Sequence, residues 1–273
     1  MRRIYKASAA KFPDKDYRNE DSVLAEQGRL AISDGAGGCG LYADEWSKYL
    51  LEKLPQEPIV SFDGLNGWLD GIWEDFYNRH EQLAKEQDGL FLKKFYEEGS
   101  CATLAAAWEV ADGWHWAAYG DSVVFHYNRE TKELEHSFTE LADFSHLPFL
   151  IDFNELRAES FRCGSFTTDA SSVVFVASDA LSHYLLSAYL LGDREKNAEE
   201  LERASHGENA GFVAAIERLP KGDYYETTLR PLLQAAEDGQ TFRKYMDELY
   251  EAQLIDRDDY SLAAIDLSDR QTD

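Results

Sequence analysis

RLAISDGAGGCG, residues 29–40, passes from an apolar run into a carboxylate and then into glycine. Arg29–Ser33 alternates partly and reads as a strand, with Gln27-Gly28 as a tight turn from a preceding strand at Ser22–Glu26. Asp34 therefore stands at a strand end, on a loop whose missing side chains let backbone approach a ligand closely. The run lacks the Lys-Ser/Thr of a nucleotide-binding phosphate loop, so that reading fails. Three more aspartates end or begin apolar β-like segments: Asp121 in YGDSVVFHY, Asp179 in VASDALSH and Asp258 in RDDYSLAAI.

Outward from this loop the period changes several times. Ile4–Ser8 reads as a first strand. Ala43, Trp46, Leu50 and Leu54 recur at helical spacing until Pro55 and Pro58. Residues 61–98 continue as helix, with Leu65, Trp68, Leu69, Ile72, Trp73 and Phe76 on a broad apolar face and Gly64, Gly67 and Gly71 weakening it. Cys101–Val110, Trp114–Tyr119, Ser122–Asn128 and Leu134–Thr139 read as a meander of strands, and Phe161–Gly164 and Ser172–Ala177 as further strands. Residues 180–253 are mostly helical and acidic, and Tyr260–Leu267 is a last strand. Strands, helices, strands, helices and strand do not make a regular βαβ alternation. The class is α+β, antiparallel sheets covered by helices, in a single domain over residues 1–273.

The chain holds 27 basic and 52 acidic side chains, a net charge of −25, and 44% hydrophobic residues. That is enough apolar content for a core, and the charge repels nucleic acid backbones and anionic membranes. No stretch approaches the roughly 18 apolar residues of a membrane span. Cys39, Cys101 and Cys163 show no CxxC or zinc spacing and read as reduced thiols, so the expectation is a cytoplasmic protein. The six tryptophans read as core or sheet face.

The ordered motifs resemble the metal-dependent protein phosphatase 2C family over almost the whole chain. They are Asn19-Glu20-Asp21, then Asp34-Gly35-Ala36-Gly37-Gly38, Gly99-Ser100-Cys101-Ala102-Thr103, Gly120-Asp121-Ser122, Ser178-Asp179-Ala180-Leu181 and Asp258-Asp259-Tyr260-Ser261. The resemblance implies a four-layer α-β-β-α sandwich with metals at one end. It also implies a serine/threonine phosphoprotein phosphatase using two Mn²⁺ or Mg²⁺ ions, with a weaker third. Water bridging two ions would attack phosphorus directly. Asp34 would bridge the ions, and Gly35 would offer its carbonyl. Asp179 and Asp258 would complete the site, with Asp121 joining Asp179 at the third ion. Glu20 and Asp21 would act through water. Phosphorylated proteins would be the substrates.

The sequence also departs from the family. Asp16 stands where the phosphate-binding arginine is expected, so Arg18 is the nearest cation, with Lys15 beyond it. Ala36 fills a position where some members carry a histidine acid. His183 is near in sequence to Asp179 but reads as an exposed helix histidine. Ala180 replaces a glycine, which matters only if φ is positive there. Asp258 and Asp259 compete for one ligand role. Residues 143–172 lack the usual flap sequence. These departures keep two alternatives open: an inactive phosphatase-like binding module, and a phosphatase of small metabolites.

Overall fold

The computed structural model describes residues 2–12, 17–153, 156–206, 210–219 and 221–268. Lys15 and Asp16 fall outside the described residues. Strand β1 (Arg3–Ala9) precedes the hairpin of β2 (Ser22–Glu26) and β3 (Arg29–Ser33). Helices α1 (Ala43–Glu52), α2 (Phe62–Asp70), α3 (Trp73–Lys85) and α4 (Gly89–Glu98) follow. The next strands are β4 (Leu104–Val110), β5 (Gly113–Tyr119), β6 (Val123–Asn128), β7 (Leu134–His136), β8 (Phe161–Phe166) and β9 (Ser172–Ala177). Helices α5 (Asp179–Gly192), α6 (Ala198–Ser205), α7 (Ala210–Ile216), α8 (Arg230–Ala235) and α9 (Gly239–Glu251) lead to β10 (Tyr260–Asp266).

The strands form two five-stranded antiparallel sheets, ordered β1-β10-β9-β6-β7 and β2-β3-β4-β5-β8. Side-chain alternation builds three apolar layers. Leu30 and Ile32 of β3, Ala105 and Ala107 of β4, Val174 and Val176 of β9, and Ala263 and Ile265 of β10 fill the space between the sheets. The opposite faces carry Ala31, Leu104, Ala106 and Trp108 toward α1 and α2, and Val173, Phe175, Leu262 and Ala264 toward α5, α8 and α9. Both sheet faces are thus buried, which is why these strands read as nearly continuous apolar runs. The acidic stretch after Ala180 is the helical cover of the first sheet. The result is an α-β-β-α sandwich.

Local chemistry sets the helix limits. Ser61 caps α2 by accepting the Gly64 N–H at 3.1 Å, and Asp88 and Asp238 cap α4 and α9. Helix α1 stops before Pro55, which has no N–H to continue it.

One expectation fails in an informative place. The predicted meander from β4 to β7 is divided: β4 and β5 pair in one sheet, while β6 and β7 belong to the other, and β5 pairs instead with β8. The chain changes sheets at Gly120-Asp121. Gly120 has φ +100°, and a Cβ there would lie 2.7 Å from the Thr103 side chain. A residue with a side chain would be strained in both conformation and space. Asp121 is thereby placed where the sheets meet. The strand expected at Cys101 starts only at Leu104, and β7 ends at His136.

Candidate metal centre

Five separate segments bring carboxylates to one end of the sandwich. They are the residues before β2 (Asp21), the end of β3 (Asp34), the sheet crossover (Asp121), the first turn of α5 (Asp179) and the residues before β10 (Asp258). Backbone bonds hold these ends together. The Asp34 N–H donates to Thr103 Oγ1 at 3.1 Å, and its carbonyl accepts the Thr103 N–H at 2.8 Å. Thr103 Oγ1 in turn lies 2.7 Å from Ser122 Oγ. Three motifs distant in sequence therefore share one hydrogen-bonded knot. The Gly35 N–H donates to the Glu20 carbonyl at 3.1 Å, and the Gly37 N–H to the Glu20 carboxylate at 3.2 Å. A Cβ on Gly35 would lie 2.6 Å from the Ala43 carbonyl oxygen, so only glycine fits.

The electrostatics mark this cluster as uncompensated. Both Asp21 carboxylate oxygens are buried without a hydrogen-bond partner, with Ser261 and Asp34 as polar neighbours. Burial pushes Asp21 up to about 7, with Asp259 and Asp258 adding to the rise. Asp34 and Asp179 rise well above the carboxylate range through burial and through their acidic neighbours, Asp21, Asp179, Asp121 and Asp258 for the first and Asp121, Asp258 and Asp21 for the second. Burial lifts Asp121 to about 6, although Arg162 opposes the rise. Glu20 also rises, by burial, against the Gly37 N–H. Buried like charges of this kind call for a cation.

The donor set suits a hard divalent cation, since Mg²⁺ and Mn²⁺ take carboxylate and carbonyl oxygens. The orphaned Asp21 oxygens are the observation that most favours the fit. Among the described residues, however, no three His, Cys, Asp or Glu side chains stand close enough together to hold an ion. The carboxylates are gathered, but not drawn into a coordination shell.

Asp258 and Asp259 separate cleanly. Asp259 Oδ1 accepts the Lys11 backbone N–H at 2.6 Å, and its Oδ2 accepts the Tyr17 hydroxyl at 2.9 Å and the Glu20 N–H at 2.8 Å. It is a buried clamp on the acidic pair. Asp258 accepts the Lys11 ammonium at 3.1 Å and the following N–H at 2.9 Å. Asp179 accepts the Ala180 N–H at 2.5 Å at the start of α5, where the helix favours negative charge. Ala180 sits in that helix and is not among the residues with positive φ, so replacing glycine there brings no strain.

Arg18 is placed apart from this cluster. Its side chain is 77% exposed and lies 3.4 Å from Asp44 of α1. Two cations outside the sequence motifs, Lys11 and Arg162, come closer. Lys11 lies two residues past the Ala9–Tyr260 pair of β1 and β10, which sets it against Asp258. Burial lowers its affinity for a proton, but Asp258, Asp259 and Asp179 outweigh that and raise it, so it stays charged. Arg162 of β8 donates to the Gly120 carbonyl and faces Asp121 and Asp143. Only strand pairing could have found either one. His183 is not the exposed histidine expected: it is 6% exposed, packed on Phe144 and Phe212, and burial drives it down to about 4. It lines a pocket of about 120 Å³ shared with Asp179 and Asp258.

No family model matches this sequence, and no curated protein matches it. Solved structures do. The catalytic domain of the serine/threonine phosphatase PstP, in complex with two manganese ions, superposes with a TM-score of 0.54 at 14% identity, covering 98% of this chain and 99% of that one. PppA of Pseudomonas aeruginosa gives 0.51 at 14% identity, with 97% and 96% covered. The serine/threonine phosphatase Stp1 from Staphylococcus aureus gives 0.50 at 13% identity, with 97% and 94% covered. Two antiparallel five-stranded sheets between helical layers, shared along nearly the whole length with bacterial serine/threonine phosphatases, give this chain the protein phosphatase 2C fold.

Proposed function

We propose that this chain is a metal-dependent phosphatase that hydrolyses phosphoserine and phosphothreonine in proteins. The observation that carries the reading is the convergence of Asp21, Asp34, Asp121 and Asp179, desolvated and mutually repelling, with the more exposed Asp258 beside them, at one end of a phosphatase fold. Asp34, Gly35, Asp121, Asp179 and Asp258 would hold Mn²⁺ or Mg²⁺. The PstP domain, with the same fold, was solved with two manganese ions. Two such cations, when bound, supply Lewis acidity to the phosphoryl oxygens and activate a water for direct attack on phosphorus.

The chain's own residues prepare that site. The Thr103–Ser122 knot fixes the Asp34 backbone. Asp259 sets the position of Glu20, whose carboxylate steadies the glycine loop through Gly37. Glu20 and Asp21 would then orient water. Lys11, against Asp258, and Arg162, facing Asp121, are the cations nearest to a phosphate at this cluster, whereas Arg18 stands apart beside Asp44. The adjacent N- and C-terminal strands β1 and β10 favour one catalytic unit over residues 1–273. No helix of the described residues is long and apolar enough to cross a membrane. With the charge of −25, this favours a cytoplasmic protein acting on phosphoproteins rather than on nucleic acid or at an anionic membrane.

The test is hydrolysis of p-nitrophenyl phosphate and of a phosphothreonine peptide, with and without Mn²⁺, by wild type and Asp179→Asn. Turnover that needs Mn²⁺ and disappears in the variant is expected. Full activity in Asp179→Asn would remove the assignment. The ion pair of Lys11 with Asp258 favours a second reading, an inactive module in which lysine stands in for metal. In that case folded protein would show no affinity for Mn²⁺.

A further inference from the structure

The glycine loop and the segment before β4 are bound along their length. The Ala36 N–H donates to the Cys101 carbonyl at 2.9 Å, the Leu41 N–H to the Gly99 carbonyl at 2.8 Å, and Ser100 Oγ to the Leu41 carbonyl at 2.5 Å. Gly35 and Ala102 form a β-bridge between them. Within this seam two cysteines 62 positions apart meet. Cys101 Sγ donates to the Cys39 carbonyl at 3.1 Å, and Cys39 Sγ lies 3.6 Å from the Ala36 carbonyl. Cys39 is exposed and Cys101 is buried. Cys163, the third cysteine, is exposed elsewhere, with its Sγ 3.4 Å from the Val60 carbonyl.

We propose that Cys39 and Cys101 are an oxidisable thiol pair that closes to an intrachain disulfide, tying the Asp34 loop to the segment that leads into β4. The facing segments already set the Cys101 sulfur against the Cys39 backbone, the proximity that a disulfide requires. The oxidant is a low-molecular-weight disulfide such as oxidised glutathione. Exposed Cys39 gives up its proton and attacks one sulfur of the small disulfide, releasing one small thiol and leaving a mixed disulfide. Cys101 then gives up its proton and attacks the Cys39 sulfur, and the second small thiol leaves. Two protein thiols become one S–S bond, and two electrons and two protons end on the two small thiols. Burial and nearby acidic groups raise both thiols, so the exchange is slow at neutral pH and speeds up in alkali.

The bridge would form two residues from Thr103, which holds the Asp34 backbone, and five from Asp34 itself. Drawing the sulfurs to bonding distance shifts that loop. The consequence for metal binding rests on the reading of Asp34 as a metal ligand, whereas the bridge itself does not.

The experiment oxidises folded Cys163→Ser protein with oxidised glutathione and maps disulfides by mass spectrometry under non-reducing conditions. The Cys39–Cys101 cross-linked peptide is expected, reversed by dithiothreitol. Cys39 found only as its glutathione adduct, with Cys101 free, would overturn the proposal. Calorimetric titration with Mn²⁺ then compares oxidised and reduced protein. The oxidised form is expected to bind about tenfold more weakly, the scale on which displaced outer-shell partners act. Unchanged affinity would overturn the effect on the metal loop. No Mn²⁺ binding in the reduced protein would instead count against the phosphatase reading and leave the mapped bridge standing.

Discussion

Between the two sheets, Leu30, Ile32, Val174, Val176, Ala263 and Ile265 are fully buried and pack in one apolar cluster. At one end of the same sheets, Asp21, Asp34, Asp121 and Asp179 are partly withdrawn from water in an acidic cluster, and desolvation raises every one of them. Removing apolar surface from water stabilises the fold by roughly 1.5–3 kcal/mol for each large side chain. Keeping a buried carboxylate charged without a partner costs free energy instead. The strands run from one environment into the other. The core therefore holds in place a cluster that works against folding, a common arrangement where stability and function conflict.

Substitutions should divide the two regions. Asp34→Asn is expected to lower Mn²⁺-dependent turnover by more than about a hundredfold, beyond the cost of losing an outer-shell partner. Its metal-free melting temperature should nevertheless rise, corresponding to about 1–2 kcal/mol, because a repelled charge is removed. A lower melting temperature would show that the cluster stabilises the fold after all. Ile265→Ala should behave in the opposite way, losing about 2–5 kcal/mol in denaturant titration while retaining Mn²⁺ affinity. Asp259→Ala removes the clamp on Glu20, Tyr17 and Lys11, and calorimetry should record about tenfold weaker Mn²⁺ binding.

The pH dependence gives a smaller signal. Asp21 and Asp121 titrate near 7 and 6 in the folded protein, above the ordinary carboxylate value of the unfolded chain. The native state thus holds these protons more tightly. The stability this gives is complete below about pH 4 and is lost as pH rises through about 6 and 7. Metal-free protein should melt lower at about pH 8 than at about pH 5.5, and Mn²⁺ should restore more at the higher pH because ligands must be deprotonated. A flat profile would show the carboxylates to be solvated. Arg18→Ala, at an exposed pair, should leave the melting temperature unchanged.

The legibility of the sequence follows the same division. Strands β2, β3 and β9 coincide with their predicted limits because period and turn residues are local signals. The helices after Ala43 were readable for the same reason. The division of the β4–β7 run between two sheets was not, since it depends on which edge β5 meets. Among the candidate site residues, Asp21, Asp34, Asp121, Asp179 and Asp258 are legible as members of sequence motifs, and the structure brings them to one end of the sandwich. Lys11 and Arg162 reach them only through the β1–β10 and β5–β8 pairings, which no local pattern encodes. The burial of His183 comes from Phe144 and Phe212, both distant in sequence or across a turn. The hydrogen-bond partners that distinguish Asp259 from Asp258 come from the opposite end of the chain, beyond any local pattern.

The most direct test of the acidic cluster is calorimetric titration of Mn²⁺ into folded, metal-free wild type, Asp34→Asn and Asp179→Asn. Two sites are expected in wild type and clear loss of binding in both variants, with circular dichroism unchanged. Equal binding in all three proteins, or none in wild type, would contradict it.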